Sequence, residues 1–219
     1  LNRLFGIDVA PGTTNAFKAR AARTYEGTYQ QLLRKIVEGQ LIHADETKVS
    51  VKGVAGYVWV FANMEDVVYV YSETREGDIL EHLLKGFSGV LVSDFYAAYD
   101  GIRCPQQKCL IHLIRDLNDA ILKHPYDVEL KGLVKGFTDL LKPMVETVDR
   151  RGLKSRFLKK HLRPVDRFFR HLAKAEFGSE SAVKFKERFE KNRDKLFTFL
   201  IHDGVPWNNN NAEHAIKAF

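Results

Sequence analysis

The sequence predicts an α/β fold built on a mixed sheet. Three observations lead there. Strongly β-prone runs cluster between residues 41 and 71. A short apolar run at 89–94 follows a helical stretch, the spacing of a parallel crossover strand. From about residue 114 the apolar positions recur at steps of three and four. Three antiparallel strands followed by parallel ones, with helices outside, satisfy all three.

Taken in order, Pro11-Gly12-Thr13-Thr14-Asn15 reads as a turn that caps a helix over 16–38, with Tyr25, Tyr29, Leu32, Leu33 and Ile36 as its apolar positions and Gly39 as its stop. Residues 41–51 form a strand around Asp45. Tyr57-Val58-Trp59-Val60-Phe61 and Val67-Val68-Tyr69-Val70-Tyr71 form two more, joined by a hairpin turn at 62–66. Residues 76–87 read as a short helix, 89–94 as a strand buried on both faces, and 108–113 as another strand. The helical block that follows carries Leu130, Leu133, Phe137, Leu140 and Met144, then Leu158, Leu162, Val165, Phe169 and Leu172, then Phe185, Phe189, Leu196, Phe199 and Leu200. Asp203-Gly204-Val205-Pro206 ends it, and a last helix starts near Asn211. The expected organisation is a helical lead-in at 1–40, a first core segment at 41–113, a helical insertion at 114–205 and a final core helix at 206–219.

At 219 residues the chain can bury a sizeable core. No apolar stretch approaches the roughly 20 residues of a membrane helix, and Leu1-Asn2-Arg3-Leu4-Phe5-Gly6 lacks the apolar core of a signal peptide. The first residue is not Met, as expected of a fragment or a processed chain. Two Cys residues make no disulfide framework, so a cytoplasmic location is expected. Net charge is +6, which favours a polyanionic partner. Residues 150–174 hold ten Lys or Arg against the single acid Asp166, a local +9 that leaves the remainder at −3. Within them Arg156, Lys160, Arg163, Arg167, Arg170 and Lys174 step by three and four. On one helix they would make a stripe suited to the phosphates of a DNA duplex, unless Pro164 starts or kinks a helix there and splits it. The plainer alternative is a solvated helix face.

Three acids carry the chemistry. Asp45 lies in His43-Ala44-Asp45-Glu46-Thr47, Asp94 ends Gly89-Val90-Leu91-Val92-Ser93-Asp94, and Glu213 follows Asn208-Asn209-Asn210-Asn211-Ala212. Two acids on strands and one on a helix can converge on a pair of Mg²⁺ ions and serve phosphodiester chemistry. Each has a structural rival. Glu46 could be the relevant acid beside Asp45, Asp94 could cap a helix, and Asn210 with Glu213 could form a capping box. Cys109 and His112, extended by Cys104, invite a zinc reading, but a structural zinc site takes four ligands and no fourth is near in sequence. Trp59 and Tyr57, Tyr69 and Tyr71 are expected to pack on the sheet, and Trp207 to dock the last helix.

The ordered set of motifs resembles the insertion sequence 66 family of bacterial DDE transposases. It comprises His43-Ala44-Asp45-Glu46-Thr47, Gly56-Tyr57-Val58-Trp59-Val60, Ser93-Asp94-Phe95-Tyr96-Ala97-Ala98-Tyr99, Cys109-Leu110-Ile111-His112-Leu113-Ile114-Arg115 and Asn210-Asn211-Ala212-Glu213-His214-Ala215-Ile216. The resemblance covers about residues 11–219. It implies a ribonuclease H-like catalytic core whose first strand is central and whose fourth lies beside it. It implies that Asp45, Asp94 and Glu213 are catalytic and hold two Mg²⁺ ions, with Mn²⁺ able to substitute, and that Cys109 and His112 support the site. Its implied chemistry is cleavage of transposon ends and strand transfer into target DNA, by a homo-oligomer assembled on the duplex. Full transposases of this branch usually carry an upstream DNA-binding region, so recognition of specific ends is expected to need more than this chain. A stand-alone metal-dependent nuclease and a catalytically inactive DNA-binding or assembly module of the same fold are the alternatives; strand-transfer products separate the first from a transposase.

Overall fold

The computed structural model describes residue 6 and residues 10–219. The reading of the N-terminal stretch as free of a signal peptide's apolar core therefore falls, Gly6 apart, outside the described residues. Helix α1 (Pro11–Val37) begins earlier than its apolar pattern. Pro11 occupies its first turn, where a missing N–H costs nothing, so the expected turn is already helical.

Strands β1 (Leu41–Val51), β2 (Val54–Ala62) and β3 (Val67–Ser72) make an antiparallel meander. The β2–β3 turn is held by Asn63, whose side-chain oxygen accepts from the backbone N–H groups of Glu65 and Asp66. Helix α2 (Asp78–Leu83) crosses to β4 (Val90–Ser93), and β5 (Gln106–Lys108) completes a five-stranded sheet in the order β3-β2-β1-β4-β5. β4 pairs with β1 in parallel, matching Leu41 to Val90, Ile42 to Leu91 and His43 to Val92. Gly89 makes that pairing possible. A Cβ there would lie 2.5 Å from the Gln40 backbone, whose carbonyl accepts from Val90 N–H at 2.9 Å.

The expected strand at 108–113 is corrected. The strand is Gln106–Lys108, and the apolar run opens helix α3 (Leu110–Lys123). Leu110, Leu113 and Leu117 bury one face of that helix, a spacing that only a helix can satisfy. β5 is polar yet fully buried, which hid it from hydrophobic pattern. The Gln106 amide donates to the Tyr99 and Ile102 carbonyls, and the Gln107 amide to those of Lys108 and Leu196.

The helical block continues with α4 (Val128–Arg151), α5 (Ser155–Leu158), α6 (Leu162–Lys174), α7 (Glu180–Lys191) and α8 (Arg193–Leu196). Its apolar stripes meet Val90 and Val92 of β4 in one continuous core. The other side of the sheet buries Ile42, Ala44, Trp59 and Leu91 against α1, α2 and Tyr99. Helix α9 (Asn210–Ala218) lies over β1 and β2, packing Ala215 and Ile216 on Val58 and Val60, with the Tyr69 hydroxyl donating to the Ala215 carbonyl at 2.9 Å. Trp59 and Tyr69 thus serve packing, Tyr71 is exposed, and the Trp207 carbonyl accepts from Leu110 N–H at the start of α3 at 2.9 Å. Among the described residues no helix is long and apolar enough to cross a membrane.

Candidate functional site

The parallel pairing of β1 with β4 ends at His43 and Val92; Asp45 lies two residues further along β1, and Asp94 two residues past Val92, just beyond the end of β4. Side chains alternate along a strand, so His43 and Asp45 share the face covered by α9 while Ile42, Ala44 and Glu46 face the other way. Glu46 is not free for a ligand. Its side chain is 2% exposed, ion-paired to Arg75 and bonded by the Tyr99 hydroxyl at 2.7 Å. Asp94 does not cap a helix. One of its oxygens accepts from Tyr96 N–H at 2.8 Å, and the 3₁₀ turn that follows, Ala97–Gly101, starts from Tyr96.

The capping-box alternative for Glu213 is also excluded. The residue before α9 is Asn209, not Asn210, and its side chain does not cap the helix; the Asn208 side-chain oxygen accepts from Asn210 N–H at 3.2 Å. The Asn209 side chain points across to β1 instead. Its amide donates to the Ala44 carbonyl at 2.9 Å, leaving its oxygen to accept from His43 Nδ1 at 3.1 Å. Its backbone N–H reaches Cys109 Sγ at 3.3 Å, and its carbonyl accepts from Glu213 N–H at 3.2 Å. Burial holds His43 near pKa 4, so the ring is neutral at pH 7 and suits this role. Sequence reasoning missed Asn209. The only signal for it was the run of four Asn residues at a helix start.

Asp45 feels the charges of Glu46, Asp94 and Glu213. Its carboxyl is pushed up to about 7, mainly by burial. The Glu46 N–H on its Oδ1 opposes this, and the charges of Glu46, Asp94 and Glu213 add to it. Three like charges around a half-buried carboxylate are a configuration that a cation relieves. Next to Asp94, the ammonium of buried Lys108 sits 3.3 Å from Ser93 Oγ and 3.5 Å from Asp100.

Cys109, just before α3, and His112, in its first turn, converge with Glu213. One potential ligand atom from each lies within 4.8 Å of the other two, a group able to hold a metal ion. The third partner of the Cys-x-x-His pair is therefore Glu213 rather than Cys104. His112 Nδ1 stands 3.7 Å from Glu213 Oε1, too far for a hydrogen bond, and both atoms are buried without a partner.

The expected basic stripe is broken. Arg156 lies on α5 and Lys160 in a 3₁₀ turn, while Arg163, Arg167, Arg170 and Lys174 follow on α6. Pro164 falls in the first turn of α6, where proline starts a helix without distorting it. All six cations are exposed. The single acid among them, Asp166, is engaged by Arg193 at 3.2 Å, and Arg167, Arg170, His171 and Lys174 line a shallow depression.

A five-stranded mixed sheet with a central first strand and a parallel fourth strand beside it, flanked by helices, defines a ribonuclease H-like fold. Residues 1–219 match the family described as "Transposase IS66 family", and the chain belongs to that family. It is also 26% identical over 141 residues to "Uncharacterized protein y4qI" of Sinorhizobium fredii, an overlap covering 52% of this chain and 25% of that protein. The chain thus spans about a quarter of the length of this relative.

Proposed function

We propose that the chain is the catalytic part of a DDE transposase, cutting DNA at the ends of an insertion sequence and joining the freed 3′-hydroxyl to target DNA. The observation that carries this reading is the family match over residues 1–219, with Asp45 on β1, Asp94 just past β4 and Glu213 in the first turn of α9. Within this reading the chain divides into lead-in (1–40), first core segment (41–113), helical insertion (114–205) and final helix (206–219).

Asp45, Asp94 and Glu213 would hold two Mg²⁺ ions, or Mn²⁺ in their place. Their carboxylate oxygens suit a hard cation, and both the raised proton affinity of Asp45 and the unpartnered Glu213 Oε1 fit a missing positive charge. When bound, such ions supply Lewis-acid activation of the attacking oxygen and charge neutralisation at phosphorus. The chain's own part is positional. The parallel pairing of β1 with β4 would set Asp45 beside Asp94, and Asn209 ties the start of Glu213's helix to β1. Arg163, Arg167, Arg170 and Lys174, with Arg156 and Lys160 on the preceding turns, would hold the duplex backbone, and Cys109 and His112 would support Glu213. Assembly of several copies on paired ends, in the cytoplasm, completes the proposal.

The direct test is Mg²⁺- or Mn²⁺-dependent cleavage and joining of labelled DNA by the wild type and by Asp94→Ala. Joining that needs the cation and disappears in the variant is expected. Cleavage without joining would favour a nuclease, and DNA binding without any cation-dependent chemistry would leave a binding module. For the basic face, Arg163, Arg167 and Arg170 changed together to Ala should weaken duplex binding irrespective of sequence. Each lost phosphate contact should flatten the slope of log affinity against log salt by about 0.9. An unchanged slope, measured by titration at several salt concentrations, would remove this face from the DNA path.

A further inference from the structure

We propose that Cys109, His112 and Glu213 form a binding site for a thiophilic divalent cation, Zn²⁺ above all, and that filling it withdraws Glu213 from the acid cluster. The three ligand atoms come from two helix starts held together by the sheet. Cys109 and His112 are three apart across the beginning of α3, which puts sulfur and imidazole on one side. Glu213 reaches them from the first turn of α9.

The distances suit a small ion. Zinc bonds of about 2.0–2.3 Å put tetrahedral ligands roughly 3.3–3.8 Å apart. His112 Nδ1 and Glu213 Oε1 are already at 3.7 Å, and all three ligand atoms lie within 4.8 Å of one another. These two facing atoms are buried, yet neither has a hydrogen-bond partner. A bridging cation would satisfy both.

The donor set decides which cation. One sulfur and one nitrogen favour zinc and disfavour Mg²⁺, which takes oxygen ligands. Three protein ligands leave the fourth position to water, the pattern of an open zinc site. The sulfur is held from behind: the Asn209 N–H donates to Sγ at 3.3 Å, and Cys109 N–H is fixed on the Ser93 carbonyl at 2.8 Å. The His112 and Glu213 side chains are 28% and 22% exposed, so the group lies close to solvent.

One carboxylate cannot serve both cations fully. Zinc should therefore inhibit Mg²⁺-dependent DNA processing, a consequence that rests on the role proposed above for Glu213. Binding itself does not depend on that role and is measured first. Reduced, metal-free chain is titrated with Co²⁺, and with Zn²⁺ against a chromophoric chelator. One ion per chain is expected, with a sulfur-to-cobalt charge-transfer band in the near ultraviolet. Cys109→Ser should abolish the band, and both Cys109→Ser and the part-exposed His112→Ala should weaken Zn²⁺ binding by at least about tenfold. Cys104→Ser, a control at the other cysteine, should change neither. No charge-transfer band in the wild type, or unchanged Zn²⁺ affinity in Cys109→Ser, would overturn the site. In the processing assay Zn²⁺ should inhibit the wild type, excess Mg²⁺ should relieve it, and the fraction of activity that Zn²⁺ removes, taken relative to each variant's own zinc-free rate, should be smaller in His112→Ala. Zinc binding without inhibition would overturn the withdrawal of Glu213. Absence of all Mg²⁺-dependent processing would instead count against the transposase reading, with the cobalt spectrum still deciding the site.

Discussion

Asp45→Asn is expected to abolish cation-dependent DNA processing and to make the metal-free protein more stable at pH 8. Both effects come from one carboxylate. Its folded-state pKa of about 7 lies above the ordinary 3.8, chiefly through burial, with Glu46, Asp94 and Glu213 adding repulsion. The native state therefore holds this proton more tightly than the unfolded chain does, so stability falls as pH rises from about 4 to about 7. Above pH 7 the whole penalty is present. A shift of this size bounds it at about 4 kcal/mol, and solvent at the half-buried position lowers the expected gain from Asn to about 1–3 kcal/mol. Denaturant unfolding without divalent cations checks this: the variant's advantage should be largest at pH 8 and smaller at pH 5. Mg²⁺ should stabilise the wild type and not the variant, and the wild type's apparent Mg²⁺ affinity should climb towards pH 7 and level off above it. Processing should fall by roughly 10²–10³-fold or more, the scale for removing one charge-stabilising group from an active site. A variant less stable than the wild type at pH 8 would mean that Asp45 is a structural acid.

The same residue shows how far the sequence could be read. The sheet around Asp45 and Asp94 was legible because β-branched and aromatic residues run uninterrupted through 57–61 and 67–71, and the apolar run Val90-Leu91-Val92 leads to Asp94, in an order that fits a mixed sheet. β5 was not legible. Its residues are Gln106, Gln107 and Lys108, buried because their amides and ammonium find partners from distant segments, which no local pattern records. The basic stripe was legible in part. Spacing at three and four persists from Arg156 to Lys174, while the backbone changes from α5 through a 3₁₀ turn to α6, the split that Pro164 signals in the sequence. Glu213 was legible as an acid at a helix start, but its freedom from capping was not. That freedom depends on a neighbouring side chain reaching across to β1.

That neighbour, Asn209, gives the second large expectation: Asn209→Ala should destabilise the fold and raise the Mg²⁺ requirement of processing. The side chain is fully buried and makes two bonds to β1, to the Ala44 carbonyl and to His43 Nδ1, next to Asp45. His43 and Ala44 are themselves fully buried, so no water can replace the lost amide. Two stranded polar groups at about 1–3 kcal/mol each give an expected loss of about 2–4 kcal/mol with partial relaxation. Since the Asn209 carbonyl also receives Glu213 N–H, a loosened Asn209 lets the start of α9 drift from β1. A purely structural role would lower the melting temperature and leave the Mg²⁺ concentration for half-maximal processing unchanged in the folded protein. A positioning role raises that concentration even well below the melting temperature, because the acids no longer meet the ions pre-arranged. Asn209→Asp separates the two further. It keeps the shape but sets an anionic oxygen against the Ala44 carbonyl, so it should be worse than Ala in stability. His43→Ala combined with Asn209→Ala should cost less than the sum of the single changes, because both remove the same bond. Strict additivity in that cycle would discount the His43 bond and leave the Ala44 carbonyl as the tie between Asn209 and β1.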